Sequence, residues 1–255
     1  ASMSANGQDS VNFHLNEEHQ MIQKLARDFA RNEIAPQAEH YDKTHEYPWP
    51  IIRKAQGLGL TTMAVPEAYG GLGLSLFEES IVTEELAWGC SGISTAIGVN
   101  SLGILPIMIS GSEEQKTEYG GRLADGELCA YCVTEPEAGS DVAGIKTTAV
   151  RDGDHFVLNG GKTFITGATN ANFYTVLAYT QPDVREDHRH RYKGMSFFIV
   201  HRDWDGVSVG KPFDKMGQHA SDTAEVIFDN VRVPAPQMLG EEGTGFATTM
   251  KVFDK

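Results

Sequence analysis

One short segment, "CAYCVTEPEAGSD" at residues 129–141, joins a strand-like pattern to a loop whose residue types suit ligand binding. The alternation from Ala130 to Thr134 is typical of a half-buried strand. The positions that follow crowd together residues that favour turns, namely Glu135, Pro136, Gly139, Ser140 and Asp141. Because functional groups are often presented on loops at the ends of rigid strands, this loop is the first candidate site.

The two cysteines of this segment form a C-x-x-C pattern, which raises the alternatives of metal and redox chemistry. Positions three apart in a strand point to opposite faces, so Cys129 and Cys132 would not converge on a metal. No second cysteine or histidine pair completes a zinc site. We therefore expect buried packing for both thiols and no metal site.

The composition restricts the class of partner. The chain has 255 residues, of which 40% are hydrophobic and 22% charged, as in a globular protein with one large domain or two smaller ones. A formal net charge of −14 disfavours nucleic acid and anionic membranes, but permits a phosphorylated ligand in a local pocket. No apolar run is expected to be long enough to cross a bilayer.

The start of the chain and the cysteine count indicate a compartment. Residues 1–12 are expected to be a flexible N-terminus. Residues 1–10 also lack the apolar segment of a signal peptide. Three cysteines give no disulfide framework, which favours a reducing environment. We expect a bacterial cytoplasm, or a mitochondrial matrix after removal of a transit peptide.

The elements that position the candidate loop change character near residue 126. Residues 13–126 have helical periodicity, with Asn16 as a helix cap and a capping box at Ser112-Glu113-Glu114-Gln115. Within them, the nearly uncharged stretch 93–109 predicts a buried helix interrupted around Gly103 and Pro106. This half is predicted to be an all-helical domain.

The second half has the period of two that indicates strands. In residues 127–241, Asp152-Gly153 and Asn159-Gly160-Gly161 are both typical of hairpin turns. The prediction is an α+β protein, with the helical domain followed by an antiparallel β domain. A new helix starts within residues 242–255.

The last predicted helix has an apolar face without a partner in the sequence. Phe246, Met250 and Phe253 follow one another at i, i+4 and i+7 on one face. A helix of about eleven residues without a packing partner is marginal in water. We therefore expect further protein after Lys255 or against this face.

The chain resembles the acyl-CoA dehydrogenase family, most closely its medium-chain and short-chain members. The resemblance runs from about Phe13 to Lys255 and rests on ordered motifs, of which "YCVTEPEAGSDVAG" is the most specific. The others are "YDKTHEYPWP", "PEAYGGLGL", "GGKTFITGATNANFY", "KMGQHASDTAEVIFDNVRVP" and "LGEEGTGF". The resemblance implies a helical domain over residues 13–126 and an antiparallel β-barrel-like middle domain over 127–241. The family's third domain is a C-terminal four-helix bundle, of which residues 242–255 match only the first turns.

The resemblance implies FAD as cofactor and indicates the residues that contact it. Hydroxyls and backbone N–H groups beside the flavin stabilise the electron density that the ring gains on reduction, and Gly139 allows close approach to a phosphate. Without the resemblance, Thr134 and Thr166 would be ordinary strand residues. The implied contacts are Tyr131, Cys132, Val133, Thr134, Gly139, Ser140, Phe164, Ile165 and Thr166.

The resemblance also implies contacts with an acyl-CoA substrate. Ser140 should touch both FAD and the CoA arm, and Asp254 should begin a short substrate-contacting segment. Residues 94–103, "STAIGVNSLG", should wall the acyl-chain cavity, and a plain core helix is the alternative.

One locally basic loop, "DHRHRYKG" at residues 187–194, interrupts the acidic sequence. In relatives this loop lies near the CoA nucleotide. Arg189, His190 or Arg191 can therefore pair with a CoA phosphate, and we assign His190 to this contact. The alternative is a solvated loop tip.

The family reaction removes the α-proton of a thioester with a carboxylate and transfers the β-hydrogen as hydride. In relatives this carboxylate lies in the C-terminal bundle, or on its first helix at a position that would follow Lys255. No catalytic residue is therefore expected in this chain. Glu135 and Glu137 are expected to cap the loop or to be solvated.

The expected activity is FAD-dependent α,β-dehydrogenation of a short- or medium-chain acyl-CoA to the trans-2-enoyl-CoA. The resemblance implies an electron-transfer flavoprotein as electron acceptor and a homotetramer or heteromer as the assembly. Residues 1–255 alone should be inactive. The alternatives are a non-catalytic flavin- or acyl-CoA-binding subunit, and an oxidase on the same fold.

Overall fold

The computed structural model describes residues 14–187 and 189–254, so the predicted flexible N-terminus lies outside the described residues. The first half of the described chain is helical. Its α-helices are α1 (Glu17–Phe29), α2 (Ala38–Thr44), α3 (Trp49–Gly57), α4 (Leu76–Gly89), α5 (Ser91–Ile97), α6 (Val99–Ser110) and α7 (Glu113–Ala124).

The predicted helix caps are confirmed. The Asn16 side chain accepts the backbone N–H of His19 at 2.7 Å, so it satisfies one of the donors that a helix start leaves open. At α7, Ser112 and Gln115 exchange both hydrogen bonds of a capping box. A second capping box starts α4, where Ser75 pairs with Glu78.

The buried apolar stretch is divided at a different place from the one predicted. The break lies at Gly98, between α5 and α6, and α6 continues through Gly103 and Pro106. Proline removes one intrahelical hydrogen bond, but the buried neighbours Ile104 and Ile107 hold this part of the helix in the core. The predicted interruption is therefore wrong.

The same stretch also corrects the expectation about apolar runs. Ser91–Ser110 is 20 residues long with a mean hydropathy of 1.6, which is enough to cross a membrane by length and composition. In this structure 61% of that window is buried inside the protein. It forms the α5–α6 pair of the core.

Eight strands of the described chain form one sheet. They are β1 (Cys129–Cys132), β2 (Thr148–Asp152), β3 (His155–Thr166), β4 (Phe173–Tyr179), β5 (Met195–His201), β6 (Val207–Val209), β7 (Thr223–Pro234) and β8 (Met238–Leu239). Their order is β6-β7-β3-β2-β4-β5-β8, with β1 beside β4. Five pairings are antiparallel, but β1 and β2 each run parallel to β4, which makes the sheet mixed. The predicted order of a helical part followed by a β part is confirmed.

Only one of the two predicted hairpin turns exists. Gly153 turns the chain between β2 and β3, with a φ of 62°. Asn159-Gly160-Gly161 instead lies within the continuous strand β3, at a register shift against β7. A Cβ added to Gly160 would lie 2.5 Å from Thr147 Oγ1, so this glycine permits a close approach of neighbouring backbones.

The two cysteines of β1 face opposite sides of the strand, as predicted. Cys129 packs in a cluster with helix residues such as Ile104, whereas Cys132 packs in a cluster with sheet residues such as Phe156. Both thiols are fully buried and free, and burial raises the pKa of each. Buried, uncharged thiols of this kind are packing residues.

Helix α6 is fixed directly onto the sheet. The Asn100 side chain accepts the backbone N–H of Cys129 at 2.9 Å and donates to the Glu127 carbonyl at 3.2 Å. The Thr175 hydroxyl donates to the Gly103 carbonyl at 2.9 Å. A Cβ on Gly103 would lie 2.5 Å from Cys129 Sγ, so only glycine allows this spacing.

Candidate functional site

A cavity of about 420 Å³ lies between the strands and the helices. One wall holds five residues that sequence analysis assigned to the flavin: Tyr131, Thr134, Phe164, Ile165 and Thr166. The facing wall comes from α5 and α6 and includes Ser94, Thr95, Gly98, Val99, Ser101 and Leu102. Met63 and the α4 residues Glu79, Thr83 and Leu86 complete the lining. The structure therefore brings five of the nine predicted flavin residues and part of the predicted acyl wall to one cavity.

The strand wall is shaped by an irregularity in β3. The register against β7 shifts between Lys162 and Ile165, and Phe164 has a φ of 57°, which is rare for a bulky side chain. The shift leaves the Phe164 ring 66% exposed in the cavity, 5.5 Å from the Phe213 ring between centroids. Strained residues of this kind concentrate at ligand sites.

Two buried hydroxyls of the cavity lining lack hydrogen-bond partners within the part of the chain described here. They are Tyr131 OH and Ser101 Oγ. Burial raises the pKa of Tyr131, and the neighbouring Thr249 hydroxyl, which donates to the Gly245 carbonyl, partly opposes that rise. A buried polar group without a partner is costly, so both hydroxyls favour a ligand that bonds to them.

A buried ion pair lies behind the strand wall. Lys162 Nζ donates to Glu135 Oε1 at 2.8 Å and to the Val133 carbonyl at 3.1 Å. The Glu135 carboxylate also accepts the backbone N–H groups of Lys146 and Thr147 and the Thr147 hydroxyl. Burial alone would raise the pKa of Glu135, but Lys162 and these donors lower it below its ordinary value.

This geometry gives Glu135 a structural role. Its oxygens are bound by groups behind the cavity wall, and burial also lowers the pKa of the paired Lys162 ammonium. Thr163 N donates to the Thr134 carbonyl at 2.9 Å, so the pair and this bond together join β3 to the candidate loop. Glu135 holds the loop and is not available for proton abstraction.

The other predicted contacts on β1 and its loop are placed differently. The Cys132 and Val133 side chains are buried in the core and do not line the cavity. From these two positions only the backbone can face a ligand. Gly139 and Ser140 are exposed on the loop, outside the cavity lining, and a Cβ on Gly139 would meet nothing within 4 Å.

The basic loop lies against the candidate loop. Arg191 donates to both carboxylate oxygens of Asp141, at 2.9 and 3.1 Å, directly beside Ser140. His190 is more exposed and contacts Asp187, with Nδ1 2.8 Å from Oδ2. Arg191 was one predicted partner for a phosphate, and in this structure its guanidinium is bound by Asp141.

Helix α8 (Gly245–Phe253) is the last described helix and packs on α6 and β5. Its buried face consists of Gly245, Thr248, Thr249 and Val252. Phe246 is partly buried beside Tyr192, whereas Phe253 is 58% exposed. Asp254 follows the helix, is exposed and does not line the cavity.

A separate cluster of possible metal ligands joins the helical and β parts. One ligand atom from each of His45, Asp214 and His219 lies within 4.8 Å of the others. His219 Nδ1 lies 3.0 Å from Asp42 Oδ1 and Nε2 lies 2.7 Å from the Lys215 carbonyl. These acceptors raise the pKa of His219, and a ring that donates from both nitrogens is not a metal ligand.

The contribution of α4 to the cavity was not predicted. One face of this helix packs into the core, where Ile81, Val82 and Leu86 are buried. Glu79 and Thr83 are one helical turn apart and both line the cavity. Their i, i+4 spacing was visible in the sequence, but the surface they face is formed only by the tertiary structure.

The sequence matches two family descriptions in succession. Residues 16–127 match the acyl-CoA dehydrogenase N-terminal domain, and residues 130–231 match the acyl-CoA dehydrogenase middle domain. The chain is 42% identical over 245 residues to the probable medium-chain specific acyl-CoA dehydrogenase 2, mitochondrial, of Caenorhabditis briggsae. That alignment covers 96% of this chain and 59% of the relative.

Solved structures show the same similarity. Butyryl-CoA dehydrogenase from Megasphaera elsdenii superposes with a TM-score of 0.87 at 35% identity, over 95% of this chain and 63% of the other. An acyl-CoA dehydrogenase from Bacillus anthracis complexed with FAD gives a TM-score of 0.84 at 36% identity, over 94% and 40%. The chain thus spans about three-fifths of the length of the curated relative.

Proposed function

The chain belongs to the acyl-CoA dehydrogenase family, and on this premise we propose that it forms the flavin-facing and acyl-facing part of an FAD-dependent dehydrogenase. The proposed reaction is α,β-dehydrogenation of a short- or medium-chain acyl-CoA to the trans-2-enoyl-CoA. The observation that carries this proposal is the single cavity shared by Thr134, Phe164 and Thr166 on one wall and the small residue Gly98 on the other.

The lining residues fit FAD. The Tyr131 hydroxyl is buried without a hydrogen-bond partner among the described residues, and Phe164 presents an exposed aromatic face held in a strained conformation. Thr134 and Thr166 offer hydroxyls and backbone N–H groups from two adjoining segments of the same wall. Bound FAD supplies the hydride acceptor for the reaction.

The residues of this chain would then bind and orient both partners. We assign Thr134 and Thr166 as hydrogen-bond donors to the flavin ring, because fixed donors stabilise the charge that develops on reduction. Phe164 would pack on the ring face. Gly139 and Ser140 lie on the exposed loop, where they would contact the cofactor's pyrophosphate arm and the CoA arm.

The catalytic base is proposed to come from protein outside residues 1–255. Glu135 is bound in its ion pair, and Glu137 is exposed and pairs with Lys146. Deprotonation of a weakly acidic α-carbon needs a carboxylate placed close to it in a water-excluded site. Residues 1–255 alone are therefore expected not to turn over.

An anaerobic titration of the intact natural polypeptide tests this function. The protein should be isolated with bound flavin, and its visible absorption should bleach when a short- or medium-chain acyl-CoA is added. Electrons should then pass to an electron-transfer flavoprotein. Retained flavin that no acyl-CoA reduces would instead favour a non-catalytic binding subunit, and rapid reoxidation by oxygen would favour an oxidase.

A further inference from the structure

One carboxylate lies in the lining of the proposed substrate cavity. Among the described residues that form this lining, Glu79 alone carries a charge. It lies on α4 with Thr83 on the next turn, so the two side chains present a carboxylate and a hydroxyl to the same space. An ionised carboxylate has about four acceptor sites and can bind a ligand donor in addition to its contacts within the protein.

The position of α4 places Glu79 away from the reacting bond. Helix α4 packs on α1 and α5 in the helical part, whereas the proposed flavin residues lie on β1 and β3. An acyl chain whose α,β bond lies against the flavin wall therefore extends past α5 and α6 towards α4. Glu79 faces the remote end of that chain.

The surroundings of Glu79 are polar for a cavity that would hold only hydrocarbon. Ser94 Oγ donates to the Thr83 carbonyl at 3.5 Å, and Thr95 Oγ1 donates to the Ser91 carbonyl at 2.9 Å. Ser101 Oγ is buried without a hydrogen-bond partner in the described chain. A plain alkyl chain would leave this hydroxyl unsatisfied, which is unfavourable.

We propose that the acyl substrate carries a hydrogen-bond donor, either a hydroxyl or an ammonium group, at its end remote from the thioester, and that Glu79 receives it. This inference rests on the proposed function and narrows its substrate class. The described lining contains no lysine, arginine or histidine that could neutralise an acid. A dicarboxylic acyl-CoA would therefore place a second negative charge beside Glu79 and is disfavoured.

The test compares matched thioesters in the intact enzyme. An ω-hydroxyacyl-CoA and an ω-aminoacyl-CoA are each compared with the acyl-CoA that carries a methyl group at the same position. A hydrogen bond to a charged acceptor should raise kcat/KM for at least one polar substrate about tenfold over the methyl analogue. Glu79→Ala should abolish the preference in kcat/KM for the polar substrate over its methyl analogue. Glu79→Gln should reduce this preference most for the ammonium substrate.

Glu84→Gln is the matched control, since Glu84 lies on the same helix, is exposed and does not line the cavity. It should leave the substrate ratio unchanged. Equal or better turnover of the methyl analogue in the unaltered enzyme would overturn the inference while the proposed function stands. Loss of flavin reduction with every acyl-CoA in Glu79→Gln would also overturn it, because Glu79 would then act in proton transfer. Failure of all acyl-CoAs to reduce the unaltered enzyme would remove the proposed function itself.

Discussion

Lys162 Nζ lies 2.8 Å from Glu135 Oε1, and this fully buried ammonium ties two separate segments of the cavity wall together. Lys162 precedes Phe164 by two residues on β3, and Glu135 directly follows Thr134 in the loop after β1. The second bond of the ammonium, to the Val133 carbonyl, reinforces the same connection. The pair therefore sets the relative position of the two segments proposed to contact FAD.

Glu135→Ala is expected to lower the free energy of unfolding by about 3–5 kcal/mol, because it leaves a buried ammonium without its counter-charge. Urea unfolding followed by circular dichroism measures this change. Glu137→Ala provides the control two residues along, since its ion pair with Lys146 is exposed and is worth about 0–1 kcal/mol. Similar losses for both variants would contradict a special role for the buried pair.

Tyr131→Phe should separate cofactor binding from stability. Its hydroxyl has no hydrogen-bond partner in the described chain, so removal should change the unfolding free energy by less than about 1 kcal/mol or increase it. If the hydroxyl contacts FAD, the dissociation constant of FAD from the intact enzyme should rise. The control is Tyr174→Phe, which removes a 2.9 Å bond to the Ala168 carbonyl and should destabilise the protein. Unchanged FAD affinity in Tyr131→Phe would remove this residue from the proposed site.

Thr166→Val should slow reduction of the bound flavin about tenfold in the intact enzyme, the effect of losing one hydrogen bond to a developing charge. Acyl-CoA affinity should change little, because the contact strengthens only as the charge develops. Stopped-flow absorption measures the reduction rate at saturating substrate. Thr148→Val on β2 is the control, since Thr148 does not line the cavity, and its rate should equal that of the unaltered enzyme.

The His219 contact should make the junction between the helical and β parts sensitive to pH. The Lys215 carbonyl and Asp42 raise the pKa of His219 above its ordinary value of 6.5. Its stabilising effect is therefore complete below about pH 6.5 and is lost as the pH rises through the raised pKa. The difference in Tm between the unaltered chain and His219→Gln should therefore become smaller as the pH rises through the pKa of His219. Asp42→Asn should flatten the dependence, and a difference that grows with pH would refute this assignment.

Several features of the fold follow from local sequence chemistry. The caps at Asn16 and Ser112 and the hairpin at Gly153 depend on neighbouring residues alone, and all three were predicted correctly. The opposite faces of Cys129 and Cys132 follow from the strand period. The order of a helical part before a β part follows from the change of period near residue 126.

The failed predictions concern residues whose roles depend on distant partners. Gly160 has the appearance of a turn residue, but its close neighbour is Thr147 on the approaching chain. Pro106 stays within α6 because the core holds the helix on both sides. The parallel pairing of β1 with β4 likewise depends on a return of the chain that no local pattern encodes.

The residues of the candidate site likewise divide into those that local motifs predicted and those whose roles depend on distant partners. The family motifs predicted five side chains of the strand wall, and the structure gathers them in one cavity. Glu79 was missed because it lies outside the motifs that indicated flavin contacts, and the partner of Lys162 was missed because the two residues are 27 positions apart. The roles of these charged residues depend on contacts that form only when the tertiary structure brings the two cavity walls together.

The contact between Gly103 and Cys129 limits how the width of the proposed substrate cavity can change during evolution. Since the Gly103 backbone and the Cys129 thiol are already close together, the helical wall cannot shift further towards the sheet at this point. On the proposed function, a different acyl group would be accommodated by exchanging side chains at positions such as Val99 and Leu102. Acyl preference would then depend on the side chains that line the two walls and not on a narrower spacing between the walls.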